Sequence, residues 1–134
     1  MRVDKQIVGN IGSGLLLLVG FSREDQKIDL QRVVSKVINL RVFEDSSGKL
    51  QNSIIETGGQ ILVVPQFTLY ANTKRGRRPD FVESMPAALA KVYFESFLLQ
   101  FEADFSGVLE KGVFGADMKV SLVNDGPFTL MLEF

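Results

Sequence analysis

The chain has 134 residues, a net charge of −1 and 46% hydrophobic residues, so it suits one globular domain and is neither a disordered segment nor a polycation. It contains no cysteine and no histidine, which excludes disulfides, thiolate metal sites, cysteine nucleophiles and the Ser-His-Asp triad. Any hydrolysis must therefore use carboxylates, hydroxyls, backbone amides or groups on the substrate. The apolar run at residues 15–21 is too short to span a bilayer, and we expect a cytoplasmic protein.

The first half of the chain predicts strand, helix and strand in that order. A continuous apolar run at residues 15–19, bounded by glycines, predicts a strand buried on both faces. Apolar residues at helical spacing over residues 27–40 predict an amphipathic helix. Residues 41–43 predict a short strand that ends at the turn signal of residues 46–48. Gly58-Gly59 marks the next turn.

The middle of the chain predicts a second buried strand, a functional loop and a second helix. Residues 61–64 are the strand candidate, and the polar and basic residues 66–80 predict the loop. Pro86 is well placed to open the helix. Its predicted apolar stripe consists of Leu89, Val92, Tyr93, Phe97 and Phe101.

The last part of the chain predicts three strands. Glycines at 107 and 112 flank the first, and Met118, Val120 and Leu122 alternate as in a second. Residues 128–134 alternate again, after the strong turn signal of residues 124–127. The sequence predicts one α+β domain over residues 1–134, with about six strands in a sheet or barrel-like core and two main helices.

A basic cluster lies in the predicted loop and consists of Lys74, Arg75, Arg77 and Arg78 around Gly76. Such a cluster could bind phosphate groups of a nucleic acid, or it could be an ordinary solvated loop. No aromatic ladder accompanies it in the sequence, so a stacking platform for single-stranded nucleic acid is not indicated.

Three further stretches could carry chemistry. Gln66-Phe67-Thr68 directly follows an apolar strand, where a rigid scaffold can present functional groups. Thr68 could act as a nucleophile or as a hydrogen-bond donor, but the chain has no histidine to activate it. Residues 114–118 could form a bulged strand in which Gly115 permits close backbone approach. Residues 124–127 could be an ordinary turn. No metal-ligand pattern is present in the sequence, and no metal or cofactor is expected.

Taken together, these stretches resemble the D-aminoacyl-tRNA deacylase family over about nine-tenths of the chain. The matching segments are residues 14–20, 41–45 with 48–49, 66–70, 75–79, 114–118 and 123–129. Each motif is weak by itself, but their order and separations also fit the family.

The resemblance implies an α+β fold and a homodimer with active sites at its interface. Gln66, Phe67 and Thr68 correspond to the catalytic signature. Gly126 and Pro127 correspond to a chirality filter, in which a cis Gly-Pro pair from one subunit enters the pocket of its partner and rejects L-amino acids. Residues that line the aminoacyl-adenosine pocket would be Phe114, Ala116, Met118 and Asn124. The tRNA-binding residues would be Lys74, Arg75, Arg77 and Arg78.

The implied activity is editing in translation quality control, namely hydrolysis of the ester between a D-amino acid and tRNA. Glycyl-tRNA would also be accepted, because glycine has no side chain to reject. The 2′-hydroxyl of the terminal ribose would help to activate water while backbone amides near Phe67 and Thr68 bind the carbonyl oxygen. The alternative mechanism makes Thr68 the nucleophile.

Two departures from the family pattern bear on specificity. Pro65 stands where the family usually has serine, and a sister group with relaxed chirality has proline there. The chain also starts about a dozen residues later than the family's first strand, which carries an arginine that supports the Gly-Pro loop. The alternatives are therefore a relaxed-chirality deacylase and, from another class, a non-catalytic RNA-binding module.

Overall fold

The structure is a computed structural model that describes residues 1–126 and 128–134, and these form eight strands and three α-helices. The strands are β1 (Arg2–Val3), β2 (Gln6–Ile7), β3 (Gly14–Val19), β4 (Phe43–Glu44), β5 (Leu50–Asn52), β6 (Gln60–Pro65), β7 (Leu109–Lys111) and β8 (Met118–Lys119). The helices are α1 (Leu30–Asn39), α2 (Ile54–Thr57) and α3 (Ala87–Asp104), with 3-10 turns at Asp25–Lys27 and Phe67–Tyr70. The predicted α+β class is confirmed.

Strand β6 lies at the centre of a parallel sheet of order β3-β6-β7. Its residues 61–64 are buried, as predicted. Strand β3 also forms as predicted, but it is an edge strand and its Leu18 is 48% exposed. The expectation that both of its faces are buried was wrong, because an apolar run does not reveal whether a second layer covers each face of a strand.

The two faces of β6 contact different layers. Ile61 and Val63 point into the main core, where they meet the buried faces of α1 and α3. Leu62 and Val64 point the other way, into a smaller cluster that includes Met118 of β8. Strand β8 belongs to an antiparallel sheet of order β2-β1-β8. The parallel sheet is therefore packed between helices on one face and a second sheet on the other.

Two smaller structures complete the fold. Strands β1 and β2 form a hairpin whose central residues, Asp4 and Lys5, have φ angles of 48° and 69°. Positive φ at both positions matches the twist of a two-residue hairpin, which the sequence did not predict because Asn-Gly is absent there. Strands β4 and β5 pair separately. No sheet closes into a barrel within the part of the chain that is described.

Helix α1 forms as predicted, with Asp29 as its N-cap and Val34, Val37 and Ile38 buried. The Asp29 carboxylate accepts a hydrogen bond from the Arg32 N–H at 3.2 Å, which satisfies one free donor of the first turn.

Helix α3 begins directly after Pro86, as predicted, but buries a partly different face. Phe97 and Phe101 are buried, whereas Val92 is 56% exposed. The other buried residues of the helix are Ala90, Phe94 and Leu98. The predicted stripe was wrong at Val92, since a helix with apolar residues on several faces does not itself show which face the core will cover.

The end of the chain departs most from prediction. Strand β8 comprises only Met118–Lys119, and Leu122 is 59% exposed. The predicted strand at residues 128–134 does not form. Alternation favours a strand, but a strand also needs a neighbour to pair with, and these residues have no ladder partner among the described ones. Phe134 lies instead near helix α1, with the Arg32 guanidinium 6.0 Å from its ring centre.

Candidate active site at the carboxyl end of the central strand

The Gln66-Phe67-Thr68 segment lies where β6 leaves the sheet. The Gln66 N–H donates to the Val19 carbonyl at 2.7 Å, which extends the pairing of β6 with β3 by one residue. The chain then enters the 3-10 turn Phe67–Tyr70. A Cβ at Gly20 would lie 2.9 Å from the Gln66 carbonyl oxygen, so glycine lets the two strand ends approach this closely.

The backbone amides of this turn provide two free donors. In the described part of the chain, neither the Phe67 N–H nor the Thr68 N–H donates a hydrogen bond, whereas the carbonyls of Gln66 and Thr68 accept from Leu69 and Ala71. A helical turn leaves its first N–H groups unpaired. Because β6 anchors the segment, these donors can bind a developing negative charge without first rearranging.

The Thr68 hydroxyl accepts a hydrogen bond from the Gln66 side-chain amide. An amide cannot take up a proton near neutral pH in either orientation of its nitrogen and oxygen. No described carboxylate is hydrogen-bonded to this hydroxyl. The geometry thus provides Thr68 with a positioning partner and with no general base.

Tyr70 ends the same turn. Burial of the ring, together with the negative charges of Asp25 and Glu133, raises the pKa of its hydroxyl above the ordinary value. Tyr70 is therefore a neutral hydroxyl under physiological conditions and is not a base for the neighbouring residues.

Pro65 is the last residue of β6, just before the site. The Ile61 N–H donates toward β7, to Val108, so the backbone of residue 65 also faces β7. Beyond the last paired residue, the Gly112 N–H still donates to the Val63 carbonyl at 2.7 Å. Proline has no N–H with which to continue this ladder, so the pairing of β6 with β7 ends here. A Cβ at Gly112 would lie 2.9 Å from Pro65 Cδ and 2.8 Å from Met118 Sδ, so these residues meet beside the end of β6.

The residues predicted to line the pocket are brought together only in part. Phe114, Ala116 and Met118 alternate as half-buried positions along one stretch. Phe114 packs against Phe94 of the main core at 6.1 Å between ring centres, whereas Met118 packs in the smaller cluster. Gly115 has φ +78° with nothing within 4 Å of a Cβ, so it serves a turn and not the close backbone approach that was predicted.

Residues 124–126 and 128–129 are exposed, and two of their side chains are hydrogen-bonded to each other. Asn124 Nδ2 donates to Thr129 Oγ1 at 3.2 Å across the loop. Gly126 is exposed between them. Pro127, the other half of the predicted chirality filter, lies outside the described residues.

The basic loop is residues 72–80, and it carries Lys74, Arg75, Arg77 and Arg78. Asn72 and Asp80 close it with two backbone hydrogen bonds of 2.8 and 3.0 Å. All four cationic residues are exposed, and none forms an ion pair with another described residue. The loop therefore presents four uncompensated charges to solvent.

Comparison with known proteins decides the family. The profile described as D-Tyr-tRNA(Tyr) deacylase matches residues 1–133. A D-aminoacyl-tRNA deacylase of Chlorobaculum tepidum is 51% identical over 133 residues, which are 99% of this chain and 89% of that protein. This chain belongs to the D-aminoacyl-tRNA deacylase family.

Other members and structures agree with this membership. The deacylase of Shouchella clausii is 45% identical, over 99% of this chain and 90% of that protein. A solved structure titled c-Myc DNA Unwinding Element Binding Protein has a TM-score of 0.92 at 40% identity, covering 99% of this chain and 90% of that one. A structure of a probable eukaryotic D-amino acid tRNA deacylase has a TM-score of 0.72 at 19% identity, covering 87% and 82%, and shows the shared fold alone.

Within the deacylase fold, the structure reveals an aromatic pair that the sequence did not. Phe67 of the Gln66-Phe67-Thr68 segment and Phe81, just after the basic loop, have ring centres 5.1 Å apart and meet edge to face. The sequence shows no aromatic ladder beside the basic cluster, and this single pair forms only through the fold. The signal available in the sequence was Phe81 itself, but only folding brings it to Phe67.

Two further findings concern the described residues of this deacylase-family chain. They contain no group of three acidic, histidine or cysteine side chains arranged to hold a metal ion. Among them, no helix has the length and apolar character needed to cross a membrane.

Proposed function

We propose that this chain hydrolyses the ester bond of D-aminoacyl-tRNA, releasing a free D-amino acid and tRNA. The observation that carries the proposal is the pair of free N–H donors of Phe67 and Thr68 at the open end of β6. Water adds to the ester carbonyl carbon, and these donors stabilise the charge on the carbonyl oxygen. The bond to the ribose oxygen then breaks, and that oxygen takes a proton. One such donor is typically worth about 100- to 1000-fold in rate.

The proton transfers are assigned to the substrate. The chain has no histidine or cysteine, and the Thr68 hydroxyl is bonded to an amide and to no described base. The 2′-hydroxyl of the terminal ribose is a neighbouring group that can position and activate water without any protein base. This favours RNA-assisted hydrolysis over attack by Thr68.

A pair of changes separates these mechanisms. Thr68→Val removes the hydroxyl but keeps the shape of the side chain, and kcat should fall less than about tenfold, as for loss of one hydrogen bond. Removing the 2′-hydroxyl from the terminal nucleotide should lower kcat by about 100-fold or more, as for loss of a general acid–base group. Single-turnover hydrolysis of D-tyrosyl-tRNA measures both, and the reverse order of effects would make Thr68 the nucleophile.

Stereochemical selection is assigned to the Gly126-Pro127 pair, entering the pocket of a partner subunit in a homodimer. A filter built of backbone can reject every L residue by the position of its β-carbon, and it would let glycyl-tRNA react. Phe114, Ala116, Met118 and Asn124 are the proposed pocket residues.

The exposure of Val123 (90%) and Met131 (82%) near the Gly126-Pro127 pair supports a dimer interface, since exposed apolar groups gain from burial. A cytoplasmic location fits the substrate.

The decisive test is hydrolysis of matched D- and L-tyrosyl-tRNA by the purified protein. We expect release of D-tyrosine and survival of the L-ester. Equal rates would support relaxed chirality, which Pro65 leaves as the second candidate. Protection of both esters would mean that the chain only binds RNA.

The four cations of the basic loop are proposed to bind tRNA phosphates. Each phosphate contact adds about 0.7 to 0.9 to the slope of log affinity against log salt. Arg77→Ala with Arg78→Ala should therefore weaken tRNA binding and reduce that slope by roughly 1.4 to 1.8. Fluorescence anisotropy with labelled tRNA over a salt series measures both quantities.

The matched control is Arg41→Ala with Lys91→Ala, which removes the same charge from exposed positions outside the loop. This control should leave the slope nearly unchanged. If it flattens the slope as much as the loop variant does, tRNA contact is spread over the surface and the loop has no special role.

A further inference from the structure

We propose that Phe67 and Phe81 together form a stacking site for an unpaired nucleobase of the tRNA acceptor end, on the 5′ side of the esterified nucleotide. The inference rests on the proposed function and extends it, because it assigns a binding role to Phe81 and places the RNA strand that leads into the site.

The two rings form an open corner at the surface. Phe67 is 55% exposed and Phe81 is 39% exposed, although both are large apolar side chains. Their planes are inclined by 62° with centres 5.1 Å apart. A base that stacks on one ring would contact the edge of the other. Stacking on exposed aromatic rings is how proteins hold unpaired bases without reading their sequence.

The Phe81 backbone is held in place although its ring is exposed. Asp80 before it is paired with Asn72 through two backbone hydrogen bonds. The Phe81 carbonyl accepts from the Ser84 N–H at 3.0 Å. Arg23 donates to the Val82 carbonyl at 3.2 Å on the other side. Because the backbone is already held, only the side-chain rotation of Phe81 is left to be restricted when a base stacks on its ring.

The position of the pair links the basic loop to the catalytic segment. Phe81 directly follows the closing residue of the basic loop, and Phe67 carries one of the two free N–H donors. A strand whose phosphates contact the four cations would pass the ring corner before its last nucleotide reaches those donors. A subunit contact made through the ring corner itself would bring two basic loops onto one surface, so the corner is a poorer subunit contact than the Val123 and Met131 surface proposed above.

The test compares substrates of different length. Phe81→Ala should lower kcat/KM for D-tyrosyl-tRNA on the order of tenfold, the usual cost of losing one base stack. The same variant should hydrolyse the D-tyrosyl ester of adenosine alone at the wild-type rate. Phe81→Tyr keeps an aromatic ring and should retain wild-type rates on both esters. Val82→Ala is the control, because it shortens a neighbouring side chain that is 64% exposed, and it should also retain both rates.

A binding measurement makes the test independent of activity. Uncharged tRNA with 2-aminopurine next to its terminal nucleotide should lose fluorescence on binding to the wild-type protein, and less on binding to Phe81→Ala. If no variant hydrolyses either ester but the quenching persists, the proposed function fails and the stacking site stands.

Three results would overturn the stacking site. One is an equal loss of activity on the tRNA and adenosine esters, which would show that Phe81 only supports the catalytic turn. Another is unchanged turnover of a tRNA that is abasic at the penultimate position. The third is a change in oligomeric state of Phe81→Ala by light scattering, which would assign the rings to a contact between copies.

Discussion

Replacing Gly126 with alanine should lower turnover of D-aminoacyl-tRNA on the order of a hundredfold and change thermal stability little. A Cβ at Gly126 would clash with the backbone nitrogen of Phe128 and lie 3.4 Å from Asn124 Oδ1. The loop closed by the Asn124–Thr129 hydrogen bond would have to shift. Displacing a positioning group by about 1 Å can cost about 100-fold in rate. The residue is exposed and outside the core, so the fold should tolerate the change.

Turnover of D-tyrosyl-tRNA and the melting temperature, measured on one preparation, test this expectation. Gly12→Ala is the control, since a Cβ there has only the Gln60 side chain nearby, at 3.8 Å. Wild-type turnover by Gly126→Ala, with L-tyrosyl-tRNA still spared, would remove this loop from the proposed filter. A large drop in melting temperature would show that the loop is structural.

Gly14→Ala should destabilise the whole fold. Gly14 pairs with Gln60 at the start of the β3–β6 ladder. A Cβ at Gly14 would lie 2.6 Å from the Gln60 backbone nitrogen and overlap its carbonyl group. Backbone cannot move aside as a side chain can, so the two strands must separate. We expect a loss at or above the upper end of the roughly 1–3 kcal/mol that overpacking usually costs.

Urea denaturation measures this loss, again with Gly12→Ala as the matched variant two residues away. Gly12→Ala should change the free energy of unfolding by less than about 0.5 kcal/mol, as for an ordinary surface substitution. Equal midpoints for the two variants would mean that the contact between β3 and β6 at Gly14 is looser than the structure shows.

Local patterns in the sequence were enough to predict the elements on which the site is built. The apolar run at 61–64 became the buried centre of β6, and the segment after it, predicted as a loop, begins with the 3-10 turn of the candidate site. The absence of histidine and cysteine excluded the common hydrolytic machineries on the ground of composition alone. These inferences succeeded because periodicity and residue chemistry are properties of the chain itself.

Tertiary structure alone decided which surfaces are covered and which distant residues meet. Alternation at residues 128–134 predicted a strand, but pairing depends on a neighbour that the local pattern cannot specify. Val92 faces solvent because the core covers another side of α3. The Phe67–Phe81 corner and the meeting of Gly112, Pro65 and Met118 depend on how separate segments pack. The sequence determined the elements that carry the candidate site and their chemistry, and packing determined their neighbours, because contacts between segments far apart in the chain leave no periodic trace in either one.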